Sequence, residues 1–147
     1  MKKRYWDSDA FIGWLAEEDD KVDECRPVIQ AAEEGKTLLI TSALTLAEVL
    51  WLRGRPPIPP EDAEAVQRFF AHEYIAVVDV DRTMAEEARK LVWSHGIAPK
   101  DAIHVATAID VEVDRMETFD GALIKKSGIV GNPPLEIGRP NEPGTLF

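Results

Sequence analysis

The sequence is that of an α/β protein: a central parallel sheet flanked by helices, in three layers. Two observations predict this class. Short strand-like runs alternate with stretches of helical periodicity along the chain. One of those runs, Thr37 to Thr41, is rich in Leu and Ile, as expected of a strand buried on both faces. With 147 residues the chain has the length of one domain.

The elements follow in order. Tyr5 and Trp6 end a first strand, with Asp7 at its carboxyl tip. Ser8 or Asp9 caps a helix whose apolar side is Phe11, Ile12, Trp14 and Leu15. Val22 to Glu34 is a second helix, with Val22, Cys25, Val28, Ile29 and Ala32 at helical spacing and Gly35 as its stop. Pro27 inside it predicts a kink or a late start. After the strand at Thr37 to Thr41, Thr45 opens a helix carrying Glu48. Gly54 to Pro60, with four prolines, reads as a surface loop. An amphipathic helix, Glu61 to Ala71, buries Val66, Phe69 and Phe70. Ile75 to Val80 is a strand, and Thr83 to Ser94 a helix closed by Gly96. Asp101 to Ile109 is apolar nearly all round, hence a central helix. Arg115 to Phe119 is a short strand, with Asp120 at its tip. The domain is expected to span 1–137, and 138–147 to form a tail. From Asn132 on, the segment rich in proline and glycine is expected to wrap the surface or lie loose.

Composition narrows function only a little. Apolar residues make up 45% and charged residues 30%, which fits a globular chain and excludes a disordered one. No apolar run approaches a membrane span, and the basic start at Lys2-Lys3-Arg4 lacks the apolar core of a signal peptide. A single cysteine, Cys25, suits a reducing cytoplasm. The net charge of −10 argues against a general nucleic-acid binder. Acids gathered at a cation site weaken that argument, as do the local basic groups Arg53 with Arg55 and Lys125-Lys126.

Four acids stand where surface acids ordinarily do not: Asp7, Glu48, Asp101 and Asp120. Carboxylates in apolar surroundings are costly unless a cation accompanies them. Brought together they repel, and hard oxygen donors suit Mg²⁺ or Mn²⁺. Each also has a plain structural role available. Asp7 and Asp101 suit helix N-termini, Thr45-Leu46-Ala47-Glu48 fits a capping box, and Asp120-Gly121 suits a turn.

Taken jointly, the pattern resembles the PIN-domain nucleases, and among them the toxin ribonucleases of the VapC type. The matching pieces are Tyr5-Trp6-Asp7-Ser8-Asp9-Ala10-Phe11-Ile12, Thr41-Ser42-Ala43-Leu44-Thr45-Leu46-Ala47-Glu48-Val49, Pro99-Lys100-Asp101-Ala102-Ile103-His104-Val105-Ala106-Thr107-Ala108 and Thr118-Phe119-Asp120. The resemblance implies a Rossmann-like sheet, an acidic pocket holding Mg²⁺ or Mn²⁺, and hydrolysis of RNA phosphodiesters by metal-activated water. It also implies a homodimer and a cognate antitoxin that blocks the pocket. By that resemblance Asp7 and Asp101 are direct metal ligands, Glu48 the second acid and Asp120 the fourth. Thr118 supports Asp120, and Asp9 is an accessory. His104, one turn after Asp101, is able to face the pocket, though a histidine on a helix more often bonds locally. Trp14, Trp51 and Trp93 read as core or dimer contacts, and Arg53, Arg55 and Lys100 as phosphate contacts.

Two rival readings remain. Asp7-Ser8-Asp9 after a strand is similar to the Asp-x-Asp signature of haloacid-dehalogenase-like phosphatases, in which the first Asp is the nucleophile. That signature wants Thr or Val where Phe11 stands. The other rival is a PIN-fold binding module without catalysis.

Overall fold

The computed structural model describes residues 1–49 and 60–140. Five parallel strands form one sheet in the order β3-β2-β1-β4-β5. They are β1 (Lys2–Trp6), β2 (Thr37–Ser42), β3 (Ile75–Val78), β4 (Arg115–Glu117) and β5 (Ile137–Gly138). The helices are α1 (Ser8–Leu15), α2 (Val22–Glu33), α3 (Ala43–Glu48), α4 (Pro60–Phe70), α5 (Arg82–His95), α6 (Pro99–Asp110) and α7 (Gly121–Ile124).

Alternation along each strand sends successive side chains to opposite faces. Tyr5, Ile40 and Met116 join one core, with Met84 and Ala88 of α5 and Ala102 and Val105 of α6. Trp6, Leu39 and Ile75 join the other, with Phe11 of α1, Val28 and Ile29 of α2 and Phe70 of α4. Adjacent residues such as Tyr5 and Trp6 are therefore both fully buried, on opposite sides. The three layers predicted from the sequence are present.

The strand order sets where a ligand sits. From β1 the chain proceeds outward to β2 and β3 on one side, then returns to place β4 and β5 on the other. Between β1 and β4 the connections diverge, which opens a crevice at the carboxyl ends of those strands. Asp7 follows β1 and Asp120 follows β4, so both lie at this switch point.

Several local expectations are corrected. Asp7, rather than Ser8 or Asp9, caps α1. Helix α2 starts at Val22 and runs through Pro27, so it has no late start. Ser42 caps α3, which begins at Ala43; Thr45 lies inside the helix, buried, with its hydroxyl on Thr41 (2.7 Å), so no capping box forms. Helix α6 begins at Pro99, a residue suited to the first turn, and Asp101 follows within that turn. Gly96 does end α5, in the left-handed conformation (φ 64°) that glycine adopts without cost. The segment from Asn132 is not loose up to the sheet: Ile137 and Gly138 pair with Met116 and Glu117 as β5, a strand that straddles the boundary expected between 137 and 138. Trp93, read as a core or dimer contact, is 75% exposed with the Arg89 guanidinium over its ring, so it is not a core residue, while Trp14 packs against the second core. Pro60 opens α4. The rest of the proline-rich loop lies outside the described residues, as do Trp51, Arg53 and Arg55.

Candidate active site

Each acid reaches the crevice from a different element. Asp7 is only 3% exposed. Its Oδ1 accepts from the Ala10 amide (3.1 Å) and its Oδ2 from the Thr118 hydroxyl (2.6 Å). Thr118 Oγ1 in turn accepts from the Asp120 amide (3.0 Å), while Asp120 Oδ1 accepts from the Ala122 amide (2.9 Å) and caps α7. The capping roles weighed for Asp7 and the turn role weighed for Asp120 are thus real, and they coexist with placement in the crevice. An N-cap accepts with one oxygen and leaves further lone pairs available.

Glu48 is the last residue of α3, and its Oε1 lies 2.8 Å from Nε2 of His104 on α6. The hydroxyl of Ser8 bonds the same carboxylate. On the far side of the imidazole, Nδ1 lies 2.6 Å from the Tyr5 hydroxyl, which accepts from the Ser42 backbone amide. A carboxylate can only accept, so Nε2–H donates to Glu48, and Nδ1 and the Tyr5 hydroxyl share the second bond. From the sequence, His104 is open to a pocket role and to a local one. The structure buries it, 2% exposed, as the link between the sheet and Glu48. Spacing from Asp101 was the only signal for His104. None existed for Tyr5, whose partner lies 99 residues away, nor for Ser8, read only as a cap.

Asp7, Glu48, Asp101 and Asp120 all line one pocket of about 760 Å³, together with Ser8, Asp9 and Lys100. Ile12, Leu44 and Ala47 supply an apolar side. Thus the four predicted acids and the accessory Asp9 come together, and Lys100 is on the rim. Thr118 sits behind, touching Asp7 directly as well as the Asp120 backbone.

Electrostatics show the strain of this gathering. Burial pushes Asp7 up to about 7; Asp9 adds to the shift, and His104, Thr118 and the Ala10 amide oppose it. Asp101 is raised by burial, then by Asp120, Asp9 and Glu48, with His104 pulling the other way. For Glu48, burial works against ionisation, but the bonds from His104 and Ser8 and the charge of Lys100 outweigh it, and its pKa falls below the ordinary value.

A divalent cation fits this donor set by its chemistry. Several carboxylates face one pocket, and Asp7 and Asp101 are hindered from ionising by burial and by neighbouring carboxylates, a hindrance that a bound dication removes. Among the described residues, no group of three or more His, Cys, Asp or Glu stands as a ready-made metal cage. The acids converge on the pocket without closing on one point.

Comparison with known proteins agrees with the geometry. VapC20 of Mycobacterium tuberculosis, described as a sarcin–ricin loop cleaving toxin, has the same fold with a TM-score of 0.65 at 17% identity, over 80% of this chain and 90% of that one. A toxin–antitoxin complex from Klebsiella pneumoniae gives a TM-score of 0.57 at 19% identity, over 80% of this chain and 86% of that one. No curated protein matches the sequence. The family model described as PIN domain matches residues 4–129, a span that holds all four acids, and the chain therefore belongs to the PIN domain family.

Proposed function

We propose that this protein is a divalent-metal-dependent endoribonuclease, the toxin of a toxin–antitoxin pair. The observation that carries the reading is the arrival of Asp7, Glu48, Asp101 and Asp120 in one pocket from four separate elements. Membership of the PIN domain family supports it. So does the shared fold with a toxin described as cleaving the sarcin–ricin loop. That membership also removes the basis for a haloacid-dehalogenase-like phosphatase.

In this reading Asp7 and Asp101 hold Mg²⁺ or Mn²⁺ directly, and Glu48 and Asp120 complete the set. The cation supplies charge neutralisation and Lewis acidity for hydrolysis of a phosphodiester. The chain's own residues supply the rest. Thr118 orients Asp7, and His104 and Ser8 keep Glu48 ionised and directed into the pocket. Lys100 offers its ammonium to the phosphate at the rim. A cognate antitoxin that blocks this pocket, a homodimeric assembly and a cytoplasmic setting belong to the same proposal. Among the described residues no helix is long and apolar enough to cross a membrane.

The deciding experiment is RNA cleavage by wild type and Asp101→Asn with Mn²⁺ or Mg²⁺ supplied. The variant is expected to lose cleavage by orders of magnitude while keeping its fold by circular dichroism. Wild-type cleavage by a folded Asp101→Asn protein ends the proposal. A wild type that binds RNA yet never cleaves it leaves the binding module as the reading.

A further inference from the structure

We propose that Arg139, ten residues beyond the matched family region, is a positioning residue for the acidic pocket; this rests on the reading of that pocket as the active site. Its guanidinium forms a fork on Glu24 of α2, with Nε to Oε1 at 2.8 Å and Nη2 to Oε2 at 2.5 Å. The same guanidinium lies over the Phe119 ring, 4.8 Å from its centroid, and Lys21 Nζ lies 5.4 Å from that centroid. Phe119 stands between Thr118 and Asp120, the residues that support Asp7 and line the pocket.

The backbone reinforces the arrangement. Strand β5 pairs with β4, the Thr118 amide donates to the Gly138 carbonyl (2.9 Å), and Arg115 Nη2 donates to the Arg139 carbonyl (3.2 Å). Arg139 is thus held at its main chain by the sheet and at its side chain by α2, with Phe119 beneath. The Arg139–Glu24 pair is partly exposed, at 41% and 36%, so its direct effect on stability is small. Its effect is geometric. It fixes the turn that carries Thr118 and Asp120, as outer residues fix the ligands they support. A planar fork does this better than a flexible ammonium.

The test compares wild type with Arg139→Ala, Arg139→Lys and a remote control, Ala88→Gly in α5, chosen to lower the melting temperature. Two quantities are read: hydrogen exchange at the Asp120 amide, and Mn²⁺ affinity by calorimetry. Arg139→Ala is expected to exchange the Asp120 amide faster and to bind Mn²⁺ about tenfold more weakly. Lysine, which keeps charge over Phe119 but loses the fork, falls between, and the control changes neither. Wild-type exchange and affinity in Arg139→Ala overturn the proposal, as does an equal loss in the control. A wild type that takes up no Mn²⁺ overturns the metal reading instead, and the exchange result then still decides the role of Arg139.

Discussion

His104 and Glu48, 56 residues apart, meet at 2.8 Å, with Tyr5 on the other ring nitrogen at 2.6 Å. A buried side chain bonded at both nitrogens cannot turn, so Glu48 has its direction set from inside the sheet. Replacing His104 by Ala is expected to lower RNA cleavage about 10–100-fold, the usual cost of losing an outer partner of a ligand. His104→Gln, able to donate to Glu48, is expected to recover part of it. Steady-state kinetics on a defined RNA, with circular dichroism as a fold control, checks both; an unimpaired His104→Ala enzyme refutes the role.

Asp7 ties stability to pH. Its folded-state pKa of about 7 lies above the ordinary value of 3.8, so between these the folded chain holds a proton that the unfolded chain has released. Stability from this group is therefore fully present below about pH 4 and lost as pH rises to about 7. Asp7→Asn removes the buried charge and keeps one carbonyl acceptor for the Ala10 amide, while its NH2 group now donates to Thr118 Oγ1, reversing that bond. At pH 8 without divalent cations it is expected to be more stable than wild type, by on the order of 4 kcal/mol, with the difference vanishing near pH 4. Urea melts at the two pH values measure it. In the same experiment, Mn²⁺ is expected to stabilise wild type and not the variant.

Glu117, in β4, is fully buried and receives Arg4 Nη1 (2.5 Å) and Trp6 Nε1 (2.7 Å), with Arg115 Nε at 3.5 Å. Burial raises its pKa, and Arg4, Trp6 and Arg115 counter that. Removing the acid strands Arg115, itself only 4% exposed. Glu117→Ala is expected to cost about 3–5 kcal/mol. Chemical denaturation tests this, and a loss below about 1 kcal/mol contradicts the account.

Gly13 of α1 faces the same aromatic ring that Arg139 covers. A Cβ there would lie 3.0 Å from Phe119 Cε2 and 3.1 Å from Lys21 Cβ. Alanine adds about 1 kcal/mol of helix propensity, while overpacking costs about 1–3 kcal/mol. Because Phe119 is held by Arg139 and Lys21, the ring cannot move aside, and Gly13→Ala is expected to destabilise by about 1 kcal/mol. In an Arg139→Ala background the penalty is expected to shrink. A double-mutant cycle with no coupling between the two sites argues against a fixed Phe119.

The amino-acid pattern reveals whatever is local. Period-2 and period-3.6 burial show the α/β class, Gly96 shows where α5 stops, and the four acids stand out because each interrupts an apolar stretch. Caps were legible as a type but not as a position: Asp7 and Ser42 took the roles read into Ser8 or Asp9 and into Thr45, since several neighbours can accept the same amides. Strand β5 was missed because its two residues carry no periodicity of their own and pair only with an already formed β4.

Partnerships across long stretches of chain became visible only on folding. Thr118 finds Asp7 across 111 residues, and Arg139 finds Glu24 across 115. Side-chain spacing encodes which face of an element is buried, but the choice of neighbour depends on the order of strands and the packing of helices upon them. The strand order β3-β2-β1-β4-β5 set β1 beside β4 and so turned separate acids into one pocket.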